Sequence, residues 1–284
     1  MGLDFKNLGI RSISGLAYAG LLIGSIILGP IAVTILASVL AVGASFELNK
    51  NTVGKDNPVS WFTTWFVDAA SLVIMLFACL GLLSSNPLCC WLLIILILLR
   101  FLIQVFIDQH NPLQSISLYV FQLFYIGIPL SLLIVAVHEI INPWIVVCAI
   151  SMIWISDTGA YLIGTLFGKH RLNVRLSPKK SWEGFLGGLL FNIGFAFIVF
   201  YCFHLNHPLF LSNVQGWIYI GICVTVFATL GDLFESMLKR SIGIKDFSNL
   251  IPGHGGVLDR IDSLLCVIPC VLIMIFLAVN MFGV

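Results

Sequence analysis

The chain has 284 residues, of which 60% are hydrophobic and 10% are charged, and its formal net charge is +1. The mean hydropathy of +1.07 and the charged fraction of 10% together exclude an ordinary soluble domain, because about 25% of the residues of such a domain are charged. The near-neutral charge points to no acidic or basic partner, and no pattern in the sequence indicates nucleic-acid binding.

Nine apolar windows follow one another along the chain, and each is long enough to cross a bilayer as a helix, which takes about 17–25 residues. Proline or polar breaks separate several of them, as at Gly29–Pro30 and Asn142–Pro143. We therefore predict an all-α polytopic membrane protein with about nine transmembrane helices, forming a single integral membrane domain over residues 1–284. The predicted spans cover residues 12–28, 30–47, 65–83, 88–107, 117–137, 143–167, 183–204, 216–238 and 264–283.

Lys and Arg residues outside the windows are unevenly distributed. They occur in the N-terminus and in the second, sixth and eighth loops, whereas the first, third, fifth and seventh loops and the C-terminus contain none. A chain with nine spans places all of these basic segments on one side, and basic loops face the cytoplasm. We therefore expect the N-terminus and these loops in the cytoplasm, and a bacterial inner membrane as the location.

The eighth window ends in a polar stripe. Asp232, Ser236 and Lys239 are spaced i, i+4, i+7, which places them on one helix face, with Glu235 at its edge. A stripe of this kind is too costly to face lipid, so it is predicted to line a polar cleft. Because no His–Asp partner for Ser236 is evident, hydrogen bonding to a substrate is favoured over a nucleophilic role.

A glycine turn precedes the ninth window. His254 lies between glycines in the segment PGHGG, which permits a tight turn. A helix predicted to begin near Val257 would present free N–H groups to an anion, and Asp259 and Asp262 lie in its first turn. Four roles stay open for His254, which are metal ligand, base, phosphate contact and a contact that holds the loop.

The acids and bases of these two segments suit a site for a metal ion and phosphates. Mg²⁺ takes one or two protein carboxylates and completes its shell with water and phosphate oxygens, so Asp232 and Asp259 are the predicted ligands. Pairing or snorkelling at the membrane interface is the alternative for any single residue, but it does not explain the aligned stripe. Neighbouring residues are predicted to neutralise phosphate charge or to position the substrate: Lys239, Arg240, Lys245, Asp246 and Arg260.

Two further segments carry charge near the predicted cytoplasmic face. In SDTGAYLIG, Asp157 is an acid within an apolar window, for which a helix–helix contact is the alternative to a site. In SPKKSWEG, Lys179 and Lys180 supply cationic donors, and Trp182 suits the headgroup level. A basic loop often only sets the membrane topology. A cluster of this kind at the start of a helix indicates a more specialised role than a topology signal.

The segment from Ser236 to Asp262 resembles the signature of the phosphatidate cytidylyltransferases, also called CDP-diacylglycerol synthases. It reads SMLKRSIGIKDFSNLIPGHGGVLDRID, and every fixed position of that signature is present. The segments SDTGAY, FGKHRL, SPKKSWEG and GDLFES are also similar to this family, so the resemblance covers about the C-terminal half. Ser181 stands where the family often has Thr, which keeps the hydroxyl group.

The resemblance implies a nine-span, all-helical, dimeric enzyme that joins phosphatidate to CTP with a divalent cation, giving CDP-diacylglycerol and pyrophosphate in phospholipid biosynthesis. Residues 141–284 would then hold the catalytic spans and cytoplasmic loops, and residues 1–140 the N-terminal spans. The expected cofactor is Mg²⁺, and the expected partners are CTP, phosphatidate, membrane lipid and a second copy of the chain. By position, Asp232 and Asp259 would be metal ligands, and the catalytic or substrate contacts would be Asp157, Lys179, Lys180, Ser236, Lys239, Arg240, Lys245, Asp246, His254, Arg260 and Asp262.

Two other classes of protein remain as alternatives. A CTP-dependent lipid or prenol kinase would also need a cytoplasmic metal–phosphate site in a membrane bundle, but it would release CDP rather than pyrophosphate. An ion-coupled transporter would hold its acids and bases near the midplane, in broken helices of repeated halves. Here these residues cluster at one face and in loops, which disfavours the transporter.

Overall fold

The computed structural model is mainly helical over the residues that it describes. Its helices are α1 (Phe5–Leu28), α2 (Pro30–Asn51), α3 (Ser60–Leu83), α4 (Leu88–Phe106), α5 (Pro112–Gln122), α6 (Ile128–Glu139), α7 (Pro143–Phe167), α8 (Trp182–Phe203), α9 (Val214–Ser241) and α10 (Leu258–Phe282). Two strands, β1 (Arg171–Asn173) and β2 (Ser177–Ser181), lie between α7 and α8. The described residues are 5–53, 60–83, 88–106, 111–139, 143–203, 214–248, 250 and 255–282.

The helices confirm the predicted class, an all-α polytopic membrane protein. Among the described residues, six helical stretches are long and apolar enough to cross a membrane, judged by length and composition. Two shorter apolar stretches, Ser14–Leu28 and Cys90–Phe106, accompany them. Each predicted window overlaps one helix, or two helices in the case of the fifth window. The count of nine spans stays a prediction.

Proline residues mark several of the helix starts. Pro30, Pro112 and Pro143 each lie in the first turn, where the missing N–H has no helical partner to lose. α5 begins at Pro112 rather than at residue 117, because Asn111 caps it and accepts a hydrogen bond from the backbone N–H of Gln114 at 3.2 Å. Helix starts are therefore set by capping as much as by hydropathy.

A π-helical segment, Leu123–Gly127, interrupts the fifth predicted window between α5 and α6. Gly127 ends this segment against α3, where a Cβ atom would lie 2.7 Å from the Sδ atom of Met75. Glycine therefore permits a close approach, because a side chain there would require Met75 to move. Short π segments of this kind are local irregularities that hydropathy does not reveal, and this one was not predicted.

The loop between the sixth and seventh windows forms an antiparallel hairpin, which the expected all-helical fold did not include. Arg171 lies opposite Ser181, and Asn173 lies opposite Ser177. The side chain of Asn173 accepts hydrogen bonds from the backbone N–H groups of Arg175 and Leu176, both at 3.1 Å. Asn favours such turns because its side chain can replace a backbone acceptor, so this residue closes the hairpin.

The chain divides into two compact units. The first contains the described residues of 1–143 and 242–261, and the second contains those of 144–241 and 262–284. The first boundary lies close to the predicted division at residue 140. The segment 242–261, which carries much of the signature, belongs to the first unit. Which half holds the catalytic spans stays a prediction.

A buried ion pair connects the helices of the first unit. Arg100 on α4 donates from Nε to Asp68 Oδ1 on α3 at 2.7 Å, and each side chain is only 1% exposed. The other guanidinium nitrogens donate to Gln104 Oε1 at 2.9 Å and to Ser115 Oγ on α5 at 2.7 Å. Ionisable groups are tolerated within a membrane bundle when they face its interior and find partners, as they do here.

The helices of the second unit approach one another through small residues and one amide. α8 packs against α9 and against β2. Asn192 on α8 donates from Nδ2 to Thr225 Oγ1 at 2.9 Å and to the backbone oxygen of Gly221 at 3.3 Å. A Cβ atom on Gly187 would lie 2.9 Å from the backbone oxygen of Gly159 on α7. Close packing of this kind is typical of helices in membranes.

Candidate active site

Three carboxylates converge in the second unit, those of Asp232 and Glu235 on α9 and of Asp262 on α10. One oxygen atom from each lies within 4.8 Å of the others. Glu235 is only 1% exposed, so its charge is poorly solvated. Like charges at such distances repel, so a cation or a proton within the cluster stabilises it. Carboxylate oxygens are the ligands that Mg²⁺ prefers, so the donor set fits the metal ion predicted from the sequence.

Gly231 brings α9 and α10 together at this point. A Cβ atom on Gly231 would lie 2.9 Å from the backbone oxygen of Asp262 and 3.1 Å from the Cα atom of Ser263. The hydroxyl group of Ser263 also donates to the backbone oxygen of Ala228 at 3.3 Å. A larger residue at position 231 would push Asp262 away from Asp232. The glycine of the GDLFES segment therefore builds the cluster.

Two lysines form ion pairs with the cluster. The Nζ atom of Lys180 lies 2.6 Å from Asp232 Oδ2, and that of Lys239 lies 2.6 Å from Glu235 Oε2. The side chain of Lys239 is 12% exposed, so solvent screens its interaction with Glu235 only weakly. Ser236 donates to Asp232 Oδ1 at 3.5 Å, the long limit of a hydrogen bond. The lysines thus offset two of the three negative charges.

The hairpin fixes the position of Lys180, because β2 leads from this residue directly into α8. Ser181 is buried, and its Oγ atom accepts a hydrogen bond from the backbone N–H of Gly184 at 3.1 Å, which caps α8. The carboxylate of Glu183 accepts a hydrogen bond from the backbone N–H of His170 at 3.2 Å and lies 2.6 Å from its Nδ1 atom. The serine and glutamate of SPKKSWEG therefore hold the hairpin beside Lys180.

The other predicted residues of the second unit are more exposed. Asp157 is exposed on α7. Lys179 on β2 and Arg240 at the end of α9 are also exposed. The structure thus brings together, from the residues predicted by sequence, Lys180, Asp232, Ser236, Lys239 and Asp262.

Asp259 belongs to the first unit, where its carboxylate organises the turn before α10. Its Oδ2 atom accepts a hydrogen bond from the backbone N–H of Gly256 at 2.8 Å. The N–H groups of Val257 and Leu258 donate to the carboxylate of Glu47 on α2, at 2.8 and 2.9 Å. The prediction that this helix start presents free N–H groups to an anion is therefore wrong. Acidic side chains of the protein itself occupy these donors.

The remaining predicted residues of the first unit lie at its surface. Lys245, Asp246 and Arg260 are all exposed. His254 lies outside the described residues, so its four possible roles stay open. The assignments of these four residues as substrate contacts, and of Asp259 as a metal ligand, stay predictions.

Two acids described above, Glu235 and Glu47, are not among the site residues predicted from the sequence. Glu235 lies three residues after Asp232 on the same helix, and this i, i+3 spacing was a sufficient signal to include it. Glu47 lies at the end of an otherwise apolar window, where an ionisable residue is a functional candidate by default. Its partners follow more than 200 positions later, so no local pattern could reveal them.

The sequence model of the cytidylyltransferase family matches residues 9–278. This chain belongs to the cytidylyltransferase family. Proteins named phosphatidate cytidylyltransferase are similar to it: one from Haemophilus influenzae is 49% identical over 118 residues, one from Staphylococcus aureus (strain COL) is 42% identical over 125, and one from Staphylococcus haemolyticus is 40% identical over 121.

The similarity to these relatives is confined to part of each chain. The Haemophilus influenzae alignment covers 42% of this chain and 41% of the relative, and the two staphylococcal alignments each cover 43% and 45%. The chain thus spans less than half the length of the curated relatives that it matches. Membership of the cytidylyltransferase family, by contrast, rests on a match to most of the chain.

Proposed function

We propose that this protein transfers a cytidylyl group from CTP to phosphatidate, giving CDP-diacylglycerol and pyrophosphate. The observation that carries the proposal is the family match over residues 9–278, together with relatives that are named phosphatidate cytidylyltransferase. The cluster of acids and lysines supports it, because two polyanionic substrates require compensating cations. The alternative kinase chemistry has no comparable support.

The reaction requires positioning and charge compensation rather than a covalent enzyme intermediate. A phosphate oxygen of phosphatidate attacks the α-phosphorus of CTP and forms the new P–O bond. The bond from that phosphorus to the α–β bridging oxygen breaks, and pyrophosphate leaves with the electron pair. Lys180 and Lys239 lie at the carboxylate cluster, where they would offset phosphate charge as it moves onto the leaving group.

The proposed cofactor is Mg²⁺. Asp232, Glu235 and Asp262 would hold it through their carboxylates. Asp259, the other ligand predicted from the sequence, belongs to the first unit. The ion would supply electrostatic stabilisation of the phosphate oxygens. Glu235 and Asp262 extend the ligand pair proposed from the sequence, and Asp232 is common to both sets.

The proposed location is a bacterial inner membrane, with the site facing the cytoplasm and the protein acting as a homodimer. The orientation follows from the placement of every Lys- or Arg-bearing loop on one side of a nine-span chain. CTP is a cytoplasmic substrate and phosphatidate is a membrane lipid, so a site at the cytoplasmic boundary gives access to both.

The orientation is tested by labelling in intact cells with a membrane-impermeant thiol reagent. In a variant whose eight native cysteines are replaced, Lys245→Cys is expected to stay unlabelled until the cells are permeabilised, because Lys245 is exposed in a segment predicted to be cytoplasmic. Ser85→Cys, in the third predicted loop, is the control and should react from outside. Efficient labelling of Lys245→Cys in intact cells would reverse the proposed topology.

The activity is tested with purified protein, phosphatidate, Mg²⁺ and CTP labelled in its α-phosphate. Label is expected in CDP-diacylglycerol, with one pyrophosphate released for each product molecule. A lipid kinase would instead leave the label in CDP, and CTP labelled in its γ-phosphate would then label the lipid. Release of CDP without CDP-diacylglycerol would reject the proposed function in favour of the kinase.

A further inference from the structure

Glu47 is a buried acid on α2, in the N-terminal part of the chain, for which the sequence predicts only membrane spans. Glu47 is only 1% exposed. The carboxylate accepts hydrogen bonds from the backbone N–H groups of Val257 at 2.8 Å and Leu258 at 2.9 Å, and from the hydroxyl group of Ser248 at 2.5 Å. All three donors belong to the signature segment, and all lie in the same compact unit as Glu47.

The surroundings of Glu47 explain how a charge is kept there. A buried carboxylate is costly unless hydrogen bonds replace its hydration. Two of its donors are N–H groups at the start of α10, where the helix dipole also favours a negative charge. The carboxylate of Glu47 therefore occupies the N-terminus of α10, where an external anion could otherwise bind.

Gly256 packs directly against this carboxylate. A Cβ atom at position 256 would lie 2.5 Å from Glu47 Oε2 and 2.6 Å from Oε1. Any residue with a side chain there would displace either Glu47 or the turn. The second glycine of the HGG sequence therefore leaves room for an acid that precedes it by more than 200 positions.

A second contact from the same helix holds the other end of the turn. Asn51, one turn after Glu47, donates from Nδ2 to the backbone oxygen of Phe247 at 2.8 Å. Phe247 is 3% exposed, and its N–H donates to Asp259 Oδ2 at 3.1 Å. α2 therefore contacts the signature segment both before and after its glycine turn.

We propose that Glu47 is a positioning residue, which holds the Gly256–Leu258 turn so that the first turn of α10 presents Asp259 and Arg260 to the substrates. This role rests on the proposed function for its catalytic consequence, but not for the contact itself. It gives the N-terminal helices of the first unit a part in the reaction, because α2 supplies the acceptor that orders the signature segment.

Amide hydrogen exchange tests the contact directly, without substrate. Glu47→Gln replaces one acceptor oxygen by an NH₂ group that faces an N–H donor, so a hydrogen bond is lost. Exchange at Val257 and Leu258 is expected to rise by about tenfold. Glu47→Asp keeps the charge and should restore part of the protection. Ser248→Ala removes one donor only, so it tests the same contact in a variant with little risk of misfolding.

Kinetics test the consequence. Loss of folded protein lowers the apparent kcat alone, whereas a displaced turn should also raise KM for CTP, by about fivefold in Glu47→Gln. Glu139→Gln, at an exposed glutamate on α6, is the matched control and should change neither exchange nor KM. Unchanged exchange in Glu47→Gln would overturn the proposal, whatever reaction the wild-type protein catalyses. Raised exchange with unchanged kcat and KM would overturn the positioning role.

Discussion

Asp232→Asn is expected to lower kcat for CDP-diacylglycerol formation by at least about 100-fold, which corresponds to ~2.7 kcal/mol. The change nearly preserves the shape of the side chain but removes one negative charge from the Asp232–Glu235–Asp262 cluster, where the proposed metal ion would be held. It also removes the charge that Lys180 contacts at 2.6 Å. The measurement is turnover of purified protein in mixed detergent–phosphatidate micelles at saturating CTP.

Asp56→Asn is the matched control for this change, because Asp56 lies in the second predicted loop and in none of the motifs. It should retain wild-type turnover, and both variants should elute as folded protein. Asp259→Asn, at the ligand implied by the family resemblance, is expected to give a loss of the same order. Turnover of Asp232→Asn within about threefold of wild type, a difference below ~1 kcal/mol, would mean that the acid is structural.

Lys239→Met is expected to lower kcat/KM for CTP by at least about tenfold, or ~1.4 kcal/mol. Methionine keeps an apolar stem of similar length, so packing should survive. The ammonium group, however, is lost from beside the buried Glu235, which it contacts at 2.6 Å, and from the proposed phosphate site. Steady-state kinetics at varied CTP measure the effect.

Lys50→Met is the control for Lys239→Met, since Lys50 is an exposed basic residue at the end of α2. Equal and small effects of the two changes would show that the cations only set membrane orientation, and would remove support for the phosphate site. Arg240→Lys adds a geometric test. The change should lower kcat/KM strongly if the guanidinium group binds phosphate through two nitrogens, and only slightly if the charge alone matters.

The sequence predicted the helices well, because a membrane imposes a length and an apolar composition on each of them. The start at Pro143 was found correctly, whereas the start of α5 was placed at residue 117 instead of Pro112. Ser115 lowers the hydropathy of that first turn, yet it lies inside the helix bundle as a partner of Arg100. Hydropathy treats such a residue as solvent-exposed and cannot detect a buried polar partner.

The sequence predicted only part of the candidate site, because contacts between distant segments are not visible in local patterns. Asp232, Ser236 and Lys239 were grouped correctly by helical periodicity, which needs only positions within one helix. The contact between Lys180 and Asp232 depends on the hairpin that carries Lys180, and the sequence predicts only a basic loop there. The contacts of Glu47 with Val257 and Leu258 depend on tertiary packing alone. Local spacing therefore identified the chemical groups but not all of their partners.

The Arg100–Asp68 pair constrains how the protein is made. An arginine or an aspartate on a lone apolar helix is costly to insert into a bilayer. Asp68 lies on α3 and Arg100 on α4, which are consecutive in the chain, so the two charges can meet as soon as both helices have left the ribosome. This pairing favours membrane integration of α3 and α4 together, as a helical hairpin.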